Sequence, residues 1–226
     1  MSAIIELKNV SKTFYDNKEA IHILENVNLS IRKGESIAII GPSGSGKSTL
    51  LHIASLLESP TDGCVIVDGK DTSALSDKKR AELRGKLFSF MFQNDPLFAS
   101  WSLEDNALLE VVLKRRVQKS DREKFHSLLD ILSLSGREKT KVKKLSGGEK
   151  SRVSLLRSLL SDAEVMFLDE PTGSLDRDNA VLVENLIFEL SEKYGKTVIL
   201  VTHSKSMAER AKRIYEISSK SLRCVK

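Results

Sequence analysis

Residues 37–51 of this chain read Ile-Ala-Ile-Ile-Gly-Pro-Ser-Gly-Ser-Gly-Lys-Ser-Thr-Leu-Leu, and this segment decides the fold. Its first four residues form a short, β-branched apolar run, which is typical of a strand buried on both faces. Residues 41–48 match G-x-x-x-x-G-K-[ST] at every fixed position, and apolar residues then recur at helical spacing. The segment therefore predicts a phosphate-binding loop between a buried strand and a helix.

A loop with this sequence is expected to bind phosphate largely through its backbone. The glycines allow successive N–H groups to turn inward, and the start of the following helix adds positive potential. Lys47 would bring its charge to the outer phosphates, and Ser48 would offer a hydroxyl to Mg²⁺. We therefore predict a nucleoside triphosphate site. Its predicted loop residues are Gly41, Pro42, Ser43, Gly44, Ser45, Gly46, Lys47, Ser48 and Thr49.

Two carboxylates end a later apolar strand. Residues 165–168 lead directly into Asp169 and Glu170. Asp169 is predicted to hold Mg²⁺, directly or through water, together with Ser48. Glu170 points to the other side of the pleat and is predicted to accept a proton from an attacking water.

Two further polar residues follow apolar runs. His203 comes shortly after residues 197–201, and Gln93 comes directly after residues 87–92. Ligands of open α/β sheets bind at the carboxyl edge, so His203 is a candidate contact for a γ-phosphate, with a purely structural histidine as the alternative. Gln93 is interpreted either as a surface residue or as a group that reaches a metal ion and water at that edge.

The segment Leu145-Ser146-Gly147-Gly148-Glu149 precedes a strongly periodic helix. Ser146 and Glu149 fit the capping box S-x-x-E, which alone explains a well-capped helix start. Two glycines in a first turn cost a helix about 1 kcal/mol each, so they suggest that backbone N–H groups approach something closely. An open helix N-terminus with a serine hydroxyl is an anion site, and we predict that this segment binds an anion.

Two aromatic pairs are predicted to lie in a turn and a loop. Phe14 and Tyr15 belong to residues 11–17, which are predicted to form a polar turn, and either ring could stack on adenine. A core or hairpin position is the alternative for both rings. Phe98 and Trp101 belong to a second predicted loop and look exposed.

The order of the predicted elements indicates an α/β fold of one domain spanning all 226 residues. Residues 1–93 and 145–226 are predicted to form a P-loop NTPase core with a mixed parallel sheet and an N-terminal antiparallel β part. The composition shifts after residue 93, and helical periodicity follows. Residues 94–144 are therefore predicted to form an inserted helical subdomain.

Composition is that of an ordinary soluble protein, with 40% hydrophobic and 30% charged residues. No apolar run approaches a membrane span, and the first ten residues lack a signal-peptide pattern, so we expect a cytosolic chain. Cys64 and Cys224 are expected to be free thiols. The net charge of +5 is concentrated in residues 114–144 and 205–226, where a solvated basic face is favoured over a nucleic-acid or lipid surface.

Taken in this order, the motifs resemble the ATP-binding subunit of an ABC transporter over nearly the whole chain. The resemblance depends on the phosphate loop 41–49, Gln93, the signature 145–149, the Walker B strand 165–170, the loop 173–176 and the switch residue His203. The signature is highly specific to this family. The residues of these motifs are most similar to those of one group within the family. That group contains the ATPases of lipoprotein-releasing and macrolide-export systems and their cell-division relative.

The resemblance implies a head-to-tail dimer of two copies with two ATP molecules at the interface. Each ATP would be held by the phosphate loop of one copy and the signature of the other. The residues that it assigns to ATP, besides the loop, are Phe14, Gln93, Ser146, Gly147, Gly148 and Glu149. It assigns catalysis to Lys47, Glu170 and His203, and Mg²⁺ to Ser48, Gln93 and Asp169.

The resemblance further implies that ATP hydrolysis drives a separate transmembrane permease. The chain would be cytoplasmic, peripheral on the cytoplasmic face of the inner membrane, and attached there only through the permease. The loop carrying Phe98 and Trp101 would form the permease's docking groove, unless the rings pack inside the helical subdomain.

Two other functions remain open. One is an ATP-driven signalling module of a cell-division-type membrane complex that transports nothing. A soluble ABC protein of translation or DNA repair ranks lower, because such proteins usually have two fused nucleotide domains or a long coiled-coil insertion. We expect no nucleic-acid partner.

Three features depart from the family pattern. Ser204 follows His203 where the family usually has aspartate, and Phe14 stands where tyrosine is common. Residues 217–222 lack the usual Asp-Gly turn, so the resemblance gives no support for a C-terminal hairpin. None of the three removes a catalytic group.

Overall fold

A computed structural model describes residues 3–16, 19–92 and 96–226 of the chain. In chain order its elements are β1 (Ala3–Asp16), β2 (Glu19–Arg32), β3 (Ser36–Ile40), α1 (Lys47–Ala54), β4 (Asp62–Val67), β5 (Lys70–Asp71), α2 (Asp77–Leu87), β6 (Phe88–Phe92), α3 (Leu103–Lys114), α4 (Lys119–Ile131), a 3₁₀ turn (Val142–Lys144), α5 (Gly147–Leu160), β7 (Val165–Asp169), α6 (Arg177–Lys193), β8 (Thr197–Val201), α7 (Lys205–Arg210), β9 (Arg213–Ser218) and β10 (Ser221–Cys224). Gln93, which is predicted to contact ATP and Mg²⁺, lies outside the described residues.

The central sheet has six strands in the order β10-β9-β3-β8-β7-β6. All neighbouring pairs are parallel except β9 with β10. β8 is buried along its whole length, as its continuous apolar sequence requires for a strand covered on both faces. The α/β class and the mixed, mostly parallel sheet predicted from the sequence are confirmed.

The register of this sheet aligns three strand ends. On β8, Val201 pairs with Ile39 of β3 on one side and with Asp169 of β7 on the other. The segments that follow these strands therefore leave the sheet at one edge. These segments include the phosphate loop, Glu170 and His203.

The N-terminal strands form a separate antiparallel sheet in the order β2-β1-β4-β5. The prediction of a polar turn over residues 11–17 is wrong, because β1 continues as a strand to Asp16, which pairs with Glu19 of β2. A long hairpin satisfies its backbone groups by pairing them with each other, so its outer part does not need apolar side chains. Polarity in this segment reflects exposure rather than a turn.

The region that follows β6 packs through its helices. α3 and α4 lie within residues 94–144, where helical periodicity is predicted, and Ser102 caps α3 in a reciprocal capping box with Asp105. The apolar faces of α3, α4 and α5 share one buried cluster that includes Leu103, Ala107, Leu108, Phe125, Leu128, Val153 and Leu156. α5, which begins with the signature, is thereby held on the edge of the sheet.

A C-terminal hairpin forms although its turn lacks Asp-Gly. Ser219 and Lys220 occupy the turn with φ values of 47° and 65°, the left-handed conformation that a two-residue hairpin turn demands. Lys220 is held from outside the hairpin, since its carbonyl accepts from Glu25 N at 2.9 Å and its Nζ donates to Glu25 Oε1 at 3.1 Å. These contacts with β2 offset the strain of non-glycine residues in the turn.

Cys64 and Cys224 are free thiols, as predicted. A search of the described residues finds no helix with the length and apolar character needed to cross a membrane.

Two glycine substitutions test this description of the fold. Gly63 has φ 80°, and a Cβ added there would lie 2.4 Å from Asn9 O, so Gly63→Ala should lower the free energy of unfolding by about 1–3 kcal/mol. Gly85 lies inside α2, and a Cβ added there would have nothing within 4 Å, so Gly85→Ala should raise the free energy of unfolding by about 0.5–1 kcal/mol. Urea denaturation measures both changes, and shifts of the same sign would contradict the structure.

Candidate functional site

The phosphate loop joins β3 to α1 and is packed tightly against two other strands. Gly46 is the N-cap residue of α1 with φ 96°, and a Cβ there would lie 2.7 Å from Ile23 Cγ2. Gly41 has φ 150°, and a Cβ there would lie 2.7 Å from Ile217 O. Both positions therefore require glycine, on conformational and on steric grounds.

Lys47 is buried within this loop. It is 7% exposed, and its Nζ donates to Gly41 O at 3.0 Å and Pro42 O at 2.9 Å. The ammonium group thus lies against the backbone that is predicted to surround the phosphates. A phosphate oxygen would be a stronger acceptor than either carbonyl, because both partners would then be charged.

Ser48 and Asp169 meet across the sheet edge. Ser48 Oγ donates to Asp169 Oδ1 at 3.2 Å, although the two residues are 121 positions apart in the chain. A hydroxyl oxygen and a carboxylate oxygen are ligand types that Mg²⁺ accepts, so this pair fits the predicted metal role.

Glu170 and His203 form the second contact at this edge. Glu170 Oε2 accepts from His203 N at 3.1 Å, and Glu170 Oε1 lies 3.2 Å from His203 Nε2. Oε1 is buried, and within the described part of the chain no donor meets it with hydrogen-bond geometry. The carboxylate is therefore oriented while one of its oxygens keeps its capacity to accept a proton.

The backbone of Glu170 is strained. Its φ of 47° is in the left-handed region, which is uncommon for a residue with a side chain. The conformation is held by the Glu170 N–H, which donates to Val201 O at 3.0 Å. Strain of this kind persists only where surrounding contacts impose it, and it is concentrated at functional sites.

The signature forms the N-terminus of α5. Ser146 Oγ accepts from Glu149 N at 3.2 Å, and Glu149 Oε2 accepts from Ser146 N at 2.8 Å, which completes the predicted capping box. The hydrogen bond from the Ser146 backbone lowers the pKa of Glu149. Among the described residues, no acceptor receives the N–H groups of Gly147 and Gly148. Two donors at this helix start thus remain available.

The presence of glycine at the two signature positions has different explanations. A Cβ on Gly148 would lie 2.5 Å from Asn179 Oδ1, so packing against α6 already demands glycine at this position. A Cβ on Gly147 would meet only Leu175 Cδ2, at an ordinary 3.8 Å. The sequence suggests that a ligand closely approaches both glycines. That explanation is required only for Gly147, because packing already accounts for Gly148.

The site of a single chain is divided into two parts. The phosphate loop, Asp169, Glu170 and His203 share one edge of the central sheet. Across the described ranges, none of the hydrogen bonds or ion pairs joins residues 146–149 to the phosphate loop. The anion-binding half that the sequence predicts at the signature is therefore separate from the loop within one chain.

The aromatic candidates for stacking on adenine differ in their surroundings. Phe14 is 42% exposed, pairs with Ile21 on β2, and has Lys12 Nζ 4.7 Å from its ring centroid. Ile21 is two residues from Ile23, which approaches Gly46, so Phe14 lies on the strand pair that packs against the phosphate loop. Tyr15 is 73% exposed.

Phe98 and Trp101 form a stacked pair on the loop before α3. Their ring centroids are 4.4 Å apart, and the two side chains are 47% and 41% exposed. Fully buried Asn106 fixes the loop, because its Oδ1 accepts from Phe98 N at 2.7 Å while its Nδ2 donates to Phe98 O at 3.1 Å and Ser102 O at 2.9 Å. Asn106 is a structural residue that the sequence motifs do not predict, although a polar residue on the apolar stripe of α3 is a usable signal.

A groove of about 410 Å³ adjoins this loop and the start of α5. Its lining includes Leu97 and Ala99 of this loop and Gly147 and Ser151 of α5. The aromatic loop and the signature helix thus share one concave surface.

Comparisons with known proteins agree with this geometry. A family model described as "ABC transporter" matches residues 24–173. The lipoprotein-releasing system ATP-binding protein LolD of Ehrlichia ruminantium is 38% identical over 223 residues, which cover 98% of this chain and 97% of LolD. The macrolide export ATP-binding/permease protein MacB of Mannheimia succiniciproducens is 38% identical over 214 residues, which cover 95% of this chain. The aligned part is 33% of MacB, so the chain spans about a third of that relative.

A solved structure gives the same result. The ATP-binding cassette MJ0796, in a dimeric post-hydrolysis state bound to ADP and Pi, superposes with a TM-score of 0.87 and 34% identity. The match covers 98% of this chain and 99% of that cassette.

Proposed function

The chain belongs to the ABC transporter family and is an ATPase of that family, and from this premise we propose how its residues use ATP. Two copies associate head-to-tail around two ATP molecules, and the cycle of binding and hydrolysis drives a permease carried by a separate chain. The observation that carries this proposal is the divided site. Within the described ranges, the signature has two N–H donors without an acceptor, and no hydrogen bond or ion pair joins it to the phosphate loop of its own chain.

The phosphate loop binds the triphosphate. Backbone N–H groups of residues 41–49 surround it, and Lys47 exchanges its two carbonyl acceptors for phosphate oxygens. Phe14 stacks on the adenine ring. Its half-exposed ring, on the strand pair that packs against the loop, suits this role better than the ring of Tyr15, which is 73% exposed.

Ser48 and Asp169 hold Mg²⁺, with Gln93 proposed as a further ligand. When bound, Mg²⁺ neutralises the charge that develops on the β- and γ-phosphate oxygens. The contact between Ser48 and Asp169 keeps the two oxygen ligands at the same edge.

Glu170 accepts the proton of the attacking water, and His203 contacts the γ-phosphate. Support comes from the strained backbone of Glu170, from its buried Oε1, and from the double contact with His203. These contacts orient the carboxylate before ATP binds, which removes part of the entropic cost of reaction.

The signature of the second copy completes the site. Capping uses Ser146 Oγ as an acceptor, so its hydroxyl proton is still free to donate to a phosphate. The N–H groups of Gly147 and Gly148 supply two more donors, and the N-terminal end of α5 adds positive potential. ATP would therefore bridge the two copies, and its hydrolysis would release them.

The permease docks on the helical subdomain of residues 94–144. Support comes from Phe98 and Trp101, which are half exposed on a loop that Asn106 holds rigid beside the groove. Rigid aromatic anchors in concave surfaces carry much of the energy of protein interfaces. We propose that lipoprotein release is the process served, because the chain matches LolD over 97% of LolD's length. The chain would then act at the cytoplasmic face of the membrane.

Glu170→Gln tests hydrolysis and dimerisation together. Glutamine keeps the size of the side chain but cannot take the proton, so hydrolysis should fall by roughly 10²–10⁴-fold while ATP still binds. Uncleaved ATP should then hold two copies together. Size-exclusion chromatography with light scattering should detect a dimer with ATP and a monomer with ADP.

The control adds Ser146→Arg to Glu170→Gln. The bulky side chain blocks the phosphate contact, so this double variant should remain monomeric with ATP. A dimer that forms without ATP, or one that persists after the Ser146 change, would contradict the sandwich.

Trp101→Ala tests the docking loop. Because the ring is half exposed, its removal should leave thermal stability and ATP binding unchanged while weakening binding to membrane vesicles from the source cell by about tenfold or more. Val112→Ala, on the exposed face of α3, is the control and should not change vesicle binding. If Trp101→Ala instead lowers the melting temperature cooperatively, the ring is part of the core and the docking proposal fails.

A further inference from the structure

A buried carboxylate lies behind the catalytic edge. Glu184 is on α6, among the buried apolar residues Val183, Leu186 and Ile187, and is 6% exposed. None of the ion pairs formed within residues 3–16, 19–92 and 96–226 involves it. A buried carboxylate without a cationic partner is tolerated only where hydrogen-bond donors satisfy its oxygens.

Three hydroxyl groups contact this carboxylate. Glu184 Oε1 accepts from Ser204 Oγ at 3.0 Å and from Thr172 Oγ1 at 3.5 Å, and Oε2 accepts from Ser206 Oγ at 3.3 Å. Ser204 Oγ and Ser206 Oγ are also 2.9 Å apart. One carboxylate thus gathers hydroxyls from two separate loops.

The two loops are those that carry the catalytic pair. Thr172 is two residues after Glu170, and Ser204 is the residue after His203. We propose that Glu184 is a positioning residue for ATP hydrolysis, because its carboxylate ties the Glu170 loop to the His203 loop. This inference rests on the roles proposed above for Glu170 and His203.

Position 204 has serine where the family resemblance leads us to expect aspartate, and this difference supports the positioning role of Glu184. Ser204 caps α7 by accepting from Met207 N at 3.2 Å, while its own hydroxyl donates to Glu184. A serine can do both, whereas an ionised aspartate can only accept. In this chain, Glu184 on α6 places a carboxylate beside the His203 loop.

This arrangement predicts that the usual family residue is harmful in this chain. Ser204→Asp would put a second carboxylate, at a half-buried position, beside the buried carboxylate of Glu184 and would remove the hydroxyl donor. Ser204 Oγ is 3.0 Å from Glu184 Oε1, and two carboxylates this close repel each other strongly. The His203 loop should therefore move. Replacing Glu184 by glutamine removes the repulsion and supplies an amide donor to the new aspartate.

The first experiment compares Glu184→Gln with Glu189→Gln, an exposed glutamate on the same helix. With purified chain, Glu184→Gln should lower kcat for ATP about tenfold, because small displacements of catalytic groups have effects of this order. The dissociation constant for a fluorescent ATP analogue should stay within about twofold, since Glu184 does not line the phosphate loop. Glu189→Gln should match the wild type in both measurements. An unchanged kcat for Glu184→Gln would overturn the proposal.

The second experiment combines substitutions at positions 184 and 204. It tests whether the second substitution restores activity, which damage to the fold by either single variant would not explain. Ser204→Asp alone should lower kcat by about tenfold or more, and adding Glu184→Gln should restore it to within about threefold of the wild type. Losses that simply multiply in the double variant would overturn the proposal.

Glu170→Gln, measured in parallel, separates the two hypotheses. If it retains hydrolysis, the proposed catalytic roles fail. If it abolishes hydrolysis while Glu184→Gln does not change kcat, only the positioning role of Glu184 fails.

Discussion

Parallel strands deliver their carboxyl ends to one edge of a sheet, and the catalytic part of this protein depends on that constraint. β8 lies between β3 and β7, and its Val201 is in register with Ile39 on one side and Asp169 on the other. The alignment brings Ser48 within 3.2 Å of Asp169 across 121 residues of chain. The same alignment lets Glu170 N donate to Val201 O, which holds the strained Glu170 backbone. Sheet register therefore sets the distances among the residues that are proposed to bind Mg²⁺ and to accept the proton.

The second constraint is that a helix start has more N–H donors than its own residues can satisfy. In α5 the capping box engages the N–H groups of Ser146 and Glu149, whereas no acceptor among the described residues receives those of Gly147 and Gly148. In the phosphate loop, by contrast, Gly46 packs closely against β2 and Gly41 against β9, and Lys47 donates to two carbonyls of the loop itself. Because no hydrogen bond or ion pair among the described residues joins the two halves within one chain, we propose that ATP links two copies. In this proposal hydrolysis removes the link, so that chemistry at the sheet edge becomes a change in association.

Much of this could be predicted from sequence because it depends on local patterns. The phosphate loop, the acidic end of β7 and the capping box each combine a residue pattern with an element boundary, and the structure has these elements where the patterns indicate. The outer part of the β1–β2 hairpin was mistaken for a turn because backbone pairing there does not require apolar side chains. The C-terminal hairpin was unsupported because its Ser219-Lys220 turn is held by Glu25, a residue far away in the chain. Glu184 gave no signal at all, since only tertiary structure brings Thr172, Ser204 and Ser206 to it.

The central claim is that each ATP site is built from two copies of the chain, and mixing two inactive variants tests it most directly. Lys47→Ala disables the phosphate loop, and Ser146→Arg disables the signature, so a dimer of either variant has no complete site. In a head-to-tail heterodimer, the intact loop of one copy meets the intact signature of the other, which restores one site of two. The account predicts that an equimolar mixture regains ATPase activity, up to on the order of a quarter of the wild-type rate if pairing is random. A mixture that stays as inactive as its components would contradict the account.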